Sequence, residues 1–198
     1  MEITLKNVRL AFADTALGEP KDYQDNKKFR HSATFLIEPG SDNDKAIEAA
    51  ILTEATNTFG KKAQTMIDNF RPQTNKFCYQ KGDLKDYEGF EGMLCIGSHR
   101  QSKDGNPLLL DNVKDPNTGK AKVLNGPNGH QIGGRIYSGC YVNAKVSIYA
   151  QTGQNPGIRS GLVAIQFWKD GDSFGGVRRA NVDEFDALDA PEEENDLA

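Results

Sequence analysis

Hydrophobic and polar positions alternate with a period of two along much of this chain, the pattern of strands whose successive side chains point to opposite faces. In RIYSGCYVNAKVSIYA, residues 135–150, the even positions Ile136, Ser138, Cys140, Val142, Ala144, Val146 and Ile148 form a core face. The odd positions carry Arg135, Tyr137, Gly139, Tyr141, Asn143, Lys145, Ser147 and Tyr149, three tyrosines among charges. ITLKNVRLAFA predicts a first strand. KFRHSATFLI predicts a second, with Phe29, Ala33, Phe35 and Ile37 on one face and Arg30, Ser32 and Thr34 on the other. The period then changes. In PGSDNDKAIEAAILTEATNTFG, Ser41 and Asp42 are candidate N-caps, Ile47, Ile51, Ala55 and Phe59 recur at helical spacing, and Gly60 can end the run. A second short helix is expected around Ala63 to Asn69.

Further on, GMLCIGSHR and NPLLLDNV read as strands flanking QSKDGN, whose Asp104-Gly105 pair signals a hairpin between them. Residues 114–134 show little periodicity and read as a long loop carrying Lys114, Lys120 and Lys122. GIRSGLVAIQFW supplies another strand, which KDGD turns into SFGGVRR. The set predicts a mainly β chain with a helical insertion between the early strands. Its most economical closure is an OB-fold, a five-stranded antiparallel Greek-key barrel with long loops, although periodicity alone also fits a sandwich.

Composition changes the picture at one end of the chain. With 198 residues, 37% hydrophobic and 26% charged, one domain over residues 1–180 is expected, with no apolar run near the roughly 20 residues of a spanning helix. The odd count of three cysteines, Cys78, Cys95 and Cys140, fits reduced core thiols in a soluble, intracellular protein. Of the 28 acidic residues eight lie in the last nineteen positions, where no Lys or Arg occurs. They are Asp183, Glu184, Asp186, Asp189, Glu192, Glu193, Glu194 and Asp196, so the other 20 acids face all 24 basic residues and the body carries a formal +4. Segregation of this kind, with Pro191 and a Glu run, predicts a disordered acidic interaction tail over residues 181–198.

The candidate chemistry is binding rather than catalysis. Asp83, Asp86, Glu88 and Glu91 crowd into GDLKDYEGFEG and offer a metal-dependent nuclease as the alternative, although Lys81, Lys85 and several glycines interrupt them as in a solvated loop. His31, His99 and His130 have no zinc-type spacing with the cysteines, and no phosphate-binding glycine loop occurs. No metal and no cofactor is expected. A strand face alternating tyrosine with Arg and Lys is what single-stranded nucleic acid asks for, since rings stack on unpaired bases and cations meet phosphates. Arg135, Tyr137, Tyr141, Lys145 and Tyr149 are therefore candidate contacts, joined by Arg100, Arg159, Trp168, Lys169, Arg178 and Arg179 from neighbouring segments. One of Phe167 and Trp168 must enter the core. The same face could instead be a protein interface in a structural or assembly protein.

KFRHSATFLI, GDLKDYEGFEGMLCIGSHR, YSGCYVNAKVSIYA, GIRSGLVAIQFWKDGDSFGG and the acidic end together resemble the tailed-phage single-stranded DNA-binding proteins, nearly over the full length. The resemblance implies an OB fold that coats single strands during phage replication or recombination, without catalysis, in the cytoplasm of an infected bacterial host. It leaves self-association open. In plan the chain also resembles other phage and bacterial single-strand binders whose acidic C-termini recruit replication proteins. Those tails commonly finish in an aromatic residue, whereas this chain ends in Leu197 and Ala198, with Phe185 its only tail aromatic. A flexible acidic tether next to a basic groove competes with DNA phosphates for it. Deleting residues 181–198 is expected to tighten DNA binding most at low salt and to abolish partner binding, as a salt titration of both forms would measure.

Overall fold

The computed structural model describes residues 1–22 and 28–174, so Arg178, Arg179 and the acidic tail lie outside the described residues. In chain order the elements are β1 (Glu2–Ala11), α1 (Asp14–Leu17), β2 (Arg30–Ile37), α2 (Asp42–Phe59), α3 (Ala63–Phe70), β3 (Tyr79–Lys81), β4 (Leu94–Gln101), β5 (Leu108–Lys114), β6 (Ala121–Val123), β7 (Tyr141–Gln151) and β8 (Gly157–Lys169). The strands lie in the order β3-β4-β2-β1-β7-β8-β5-β6, and a further pairing of β4 with β8 closes β1, β2, β4, β8 and β7 into a ring. This is the five-stranded OB barrel that the periodicity predicts. Four of its junctions are antiparallel, and the fifth, where His99 faces Gly161, is parallel.

The alternating apolar positions fill the interior. Leu5, Leu10, Phe35, Ile37, Ile96, Val142, Val146, Ile148, Leu162, Ile165 and Phe167 are all buried there. Helix α2 packs against β1 and β7 through Ile47, Ala50, Ile51 and Ala55, two alanines allowing close approach. Ser41 caps it by accepting the Asp44 amide at 3.3 Å, as the sequence suggests. Arg71 clamps α3 to α2 through a two-pronged pair with Glu48, both bonds 2.7 Å. Strand β1 bulges between Leu5 and Val8. The peptide groups freed at Lys6 and Asn7 are satisfied by the side chains of Asn43 and Asn143.

Several expectations are corrected. The tyrosine strand begins at Tyr141, so Arg135 and Tyr137 sit in the turn before it rather than on it. Strands β4 and β5 form no hairpin: β4 pairs with β2, and both run parallel to β8, β4 meeting it at Gly161 and β5 at Ala164 to Gln166. The Asp104-Gly105 turn thus joins two strands laid end to end along one edge. Residues 114–134 are not simply loop, since β6 returns antiparallel to β5 around a turn where the Asp115 carboxylate accepts the Asn117 and Thr118 amides. Phe29 precedes β2 and is 49% exposed, while His31 takes the inward place, its Nδ1 2.6 Å from the Thr15 carbonyl. Residues 170–174 form no strand but fold back onto the turn before β7.

Beside the parallel junction the buried hydroxyls of Ser98 and Ser160 meet at 2.7 Å. Ser98→Ala leaves the Ser160 hydroxyl without this partner and is expected to cost about 1–3 kcal/mol in urea unfolding, whereas replacing both serines by alanine is nearly neutral. Equal losses for the single and double variants would contradict this.

Candidate nucleic-acid interface

Residue Tyr141 opens β7 opposite Lys169 at the end of β8, and Arg9 of β1 lies opposite it on the other side. The register slips between Tyr141/Lys169 and Val142/Phe167, leaving Trp168 as the extra residue of a bulge. Phe167 is buried, and both Trp168 and Lys169 turn outward, Trp168 with 49% of its surface exposed. The Lys169 ammonium stands 4.6 Å above the Tyr141 ring, and the Arg9 guanidinium is 5.9 Å from that ring and 4.2 Å over Phe174. An aromatic ring thus sits between two cations on the open face of the barrel.

The segment 170–174 holds this arrangement in place. The Tyr137 hydroxyl lies 2.9 Å from the Gly171 carbonyl and 3.0 Å from Asp170 Oδ1, and it accepts the Gly171 amide at 3.1 Å. Arg9 donates to the Gly139 and Asp172 carbonyls at 3.2 and 2.8 Å, and the Phe174 amide bonds Ser138 O at 3.1 Å. Gly139, with φ of 109°, is required here, because a Cβ would stand 2.1 Å from the Asp172 carbonyl. Partial burial raises the Tyr137 pKa above its ordinary value.

The other candidates divide into neighbours and outliers. The Arg135 guanidinium lies 3.9 Å over the Phe167 ring, with Asp111 at 3.6 Å and Asp170 at 3.9 Å, next to the Tyr141 site. Lys145 shares the outer face of β7 and pairs with Glu2 at 2.9 Å. Tyr149 and Arg159 face each other at the far end of β7 and β8, eight residues and roughly 27 Å along the strand from Tyr141. Partial burial raises the Tyr149 pKa, opposed by the Arg159 charge. Arg159 bonds the Asn75 and Asn155 carbonyls, and Arg100 the carbonyls of Asp104, Gly105 and Leu162, so both arginines anchor loops. Asp83, Asp86, Glu88 and Glu91 are exposed, Asp83 accepting the Gly92 amide at 2.7 Å, and among the described residues no three His, Cys, Asp or Glu side chains gather as a metal site.

A sequence model described as the single-stranded DNA-binding protein of Enterobacter phage Enc34 matches residues 1–197. The chain belongs to that family. Protein p50 of the Acyrthosiphon pisum secondary endosymbiont phage 1 is 36% identical over 201 residues, covering all of both chains. Among solved structures, the Enc34 protein in complex with single-stranded DNA has a TM-score of 0.60 at 21% identity, over 88% of this chain and 89% of that one. The bacteriophage T7 single-stranded DNA-binding protein gp2.5 has a TM-score of 0.53 at 10% identity, over 95% and 99%. At these identities the structural likeness concerns the fold.

In this Enc34-family chain, Arg9 and Phe174 escape a reading by strand periodicity. Arg9 is one of two cations on β1, with nothing in the strand's pattern to set it apart from Lys6, and Phe174 arrives only through the fold-back of residues 170–174. The hydroxyl of Tyr137, a residue expected to contact DNA, ties that fold-back down. Tyr137→Phe is expected to lower stability by about 0.5–1.5 kcal/mol in denaturant unfolding, the net worth of a hydrogen bond. An unchanged midpoint would show that the hydroxyl holds nothing.

Proposed function

We propose that this chain is a non-enzymatic, sequence-tolerant single-stranded DNA-binding protein that coats strands exposed in phage replication or recombination. The acidic tail competes with the DNA and recruits phage or host replication proteins in the cytoplasm of the infected cell. The observation that carries this reading is the Tyr141 ring between Lys169 and Arg9 on an open barrel face. Magnitudes decide what that ring does when a strand arrives. An exposed cation–π contact is worth about 0.5–1 kcal/mol, whereas a base stacked on an aromatic side chain is worth about 1–3 kcal/mol. Lys169, exposed on a flexible stem, therefore yields the ring to a base and moves to the accompanying phosphate. Arg9, tied to two carbonyls, stays as the rigid wall. Trp168 beside them offers a second exposed ring, and Arg135 a second cation.

Family membership and the fold shared with the Enc34 and T7 proteins support the same reading. A gel shift with short oligonucleotides, with and without Mg²⁺, tests it: retarded, intact strands under both conditions are expected, and Mg²⁺-dependent cleavage would revive the carboxylate alternative. Tyr141→Ala is expected to weaken binding by about 1–3 kcal/mol, and Lys169→Gln to flatten the slope of log K against log salt by about 0.7. Wild-type affinity in a folded Tyr141→Ala variant would remove the assignment.

A further inference from the structure

One group of rings on the same face lies beyond the tyrosine strand. Phe12 directly follows β1, and its φ of 50° is in the left-handed region; among the described residues Asn7 is the other non-glycine there. Asparagine tolerates that conformation through its short polar side chain, whereas phenylalanine has no such compensation and sits there under strain. The result is unusual. Ala11 and Ala13 on either side are buried, while the Phe12 ring between them is 44% exposed. Backbone strain is thus spent on keeping an apolar ring in water, a combination that points to use of the ring.

The ring has company. Tyr87, 57% exposed, meets it edge-on with centroids 4.8 Å apart and planes at 72°. Buried Phe90 lies beneath both, 5.6 Å from Phe12 and 5.8 Å from Tyr87, and the Lys85 ammonium is 5.8 Å from the Phe12 ring. The loop bearing these residues is pinned: the Gly82 amide bonds Met93 O at 2.7 Å, and the Phe90 amide bonds Tyr87 O at 3.2 Å. Gly89 packs against Phe174 so closely that a Cβ would stand 2.5 Å from that ring. Phe174 in turn touches Phe90, at 6.5 Å between centroids, and lies under Arg9. Rings and cations therefore continue from Lys169 and Tyr141 across Arg9 and Phe174 to Phe90, Phe12 and Tyr87.

We propose that Phe12 and Tyr87 form a second stacking platform for unpaired bases, at the far end of the path that begins at Tyr141. The proposal rests on the single-strand-binding reading and extends it. Charge separates the two ends. Asp86 and Glu88 flank Tyr87 in sequence, both exposed and in none of the ion pairs among the described residues, and together they outnumber the single ammonium of Lys85 beside the rings, so the local balance disfavours a phosphate while leaving an uncharged base unaffected. The Tyr141 end takes base and phosphate; the Phe12–Tyr87 end takes the base alone. A duplex, whose bases are stacked on one another, offers this platform nothing to hold.

The test is fluorescence anisotropy with the full chain, using labelled oligothymidylate and an abasic oligonucleotide of equal length over a series of salt concentrations. Tyr87→Ala is expected to lose roughly 5- to 150-fold in affinity for oligothymidylate, the equivalent of one lost stack, with an unchanged salt slope. Tyr87→Phe is expected to keep wild-type affinity, and Tyr87→Ala to match wild type on the abasic strand. Phe12→Ala should repeat the Tyr87→Ala pattern; should it fail to fold, the exposed Tyr87 decides alone. Wild-type affinity of Tyr87→Ala for oligothymidylate, or an equal loss on the abasic strand, overturns the platform while leaving the Tyr141 site standing. A wild-type protein that leaves oligothymidylate unbound overturns the single-strand reading itself.

Discussion

Strand β8 has thirteen residues and one edge left after pairing with β7, and the architecture follows from how that edge is filled. An unpaired edge is a template for unwanted association, so it must be covered. Two strands share it: β4 takes the part at Gly161 and so closes the barrel, and β5 takes the part from Ala164 to Gln166. Because both run parallel to β8, the chain leaves β4, makes one turn and resumes in the same direction. Arg100 and its three carbonyl contacts hold that turn. At the junction the sheet has small residues, Gly161, Ser98 and Ser160, and the close approach is sealed by one buried hydroxyl pair. Closure on that side leaves the outer faces of β1, β7 and the end of β8 to carry the exposed rings.

The second dependency is local. After β8 the chain turns back at Asp170, and everything near Tyr141 relies on that reversal: Tyr137 fixes Gly171, Arg9 fixes Asp172, and Phe174 reaches the loop that carries Tyr87. The tyrosines of one sequence segment thus divide their labour. Tyr137 spends its hydroxyl on architecture, and Tyr141, which has no comparable tether, keeps its ring between two cations.

Strand periodicity made the barrel legible because the inward positions are nearly all apolar on β1, β2, β7 and β8, and the change of period at Ser41 marked α2. What stayed hidden depends on pairing between distant segments. Asp104-Gly105 carries a hairpin signal, yet hairpin geometry is decided by which edge is free, and here the free edge belonged to β8. Alternation placed Arg135 and Tyr137 on a strand, but Gly139 with its positive φ breaks the chain into a turn just before Tyr141. Tyr141 and Trp168 were visible because each lies on a strand next to a buried residue of the opposite face, and Lys169 as the cation beside Trp168. Arg9, Phe12 and Phe174 were not, since one is a cation that nothing in its strand distinguishes from Lys6, one depends on a strained backbone angle, and one on a contact across more than 160 residues.

The distribution of charge bears on how a strand would be held on the proposed face. Arg135 is engaged by Asp111 and Asp170, Lys145 by Glu2, and Arg9 by two carbonyls. Exposed ion pairs are worth about 0–1 kcal/mol, so Lys145 can exchange Glu2 for a phosphate at little cost. Arg9 cannot move without loosening residues 139 and 172. Among the described residues of this face Lys169 and Lys145 are thus the cations that can turn to phosphate, each adding about 0.7 to the salt slope, against several rings each worth about 1–3 kcal/mol. Stacking then outweighs charge, and because every base presents a π-face, a protein that holds DNA mainly by stacking is tolerant of sequence and keeps much of its grip in salt.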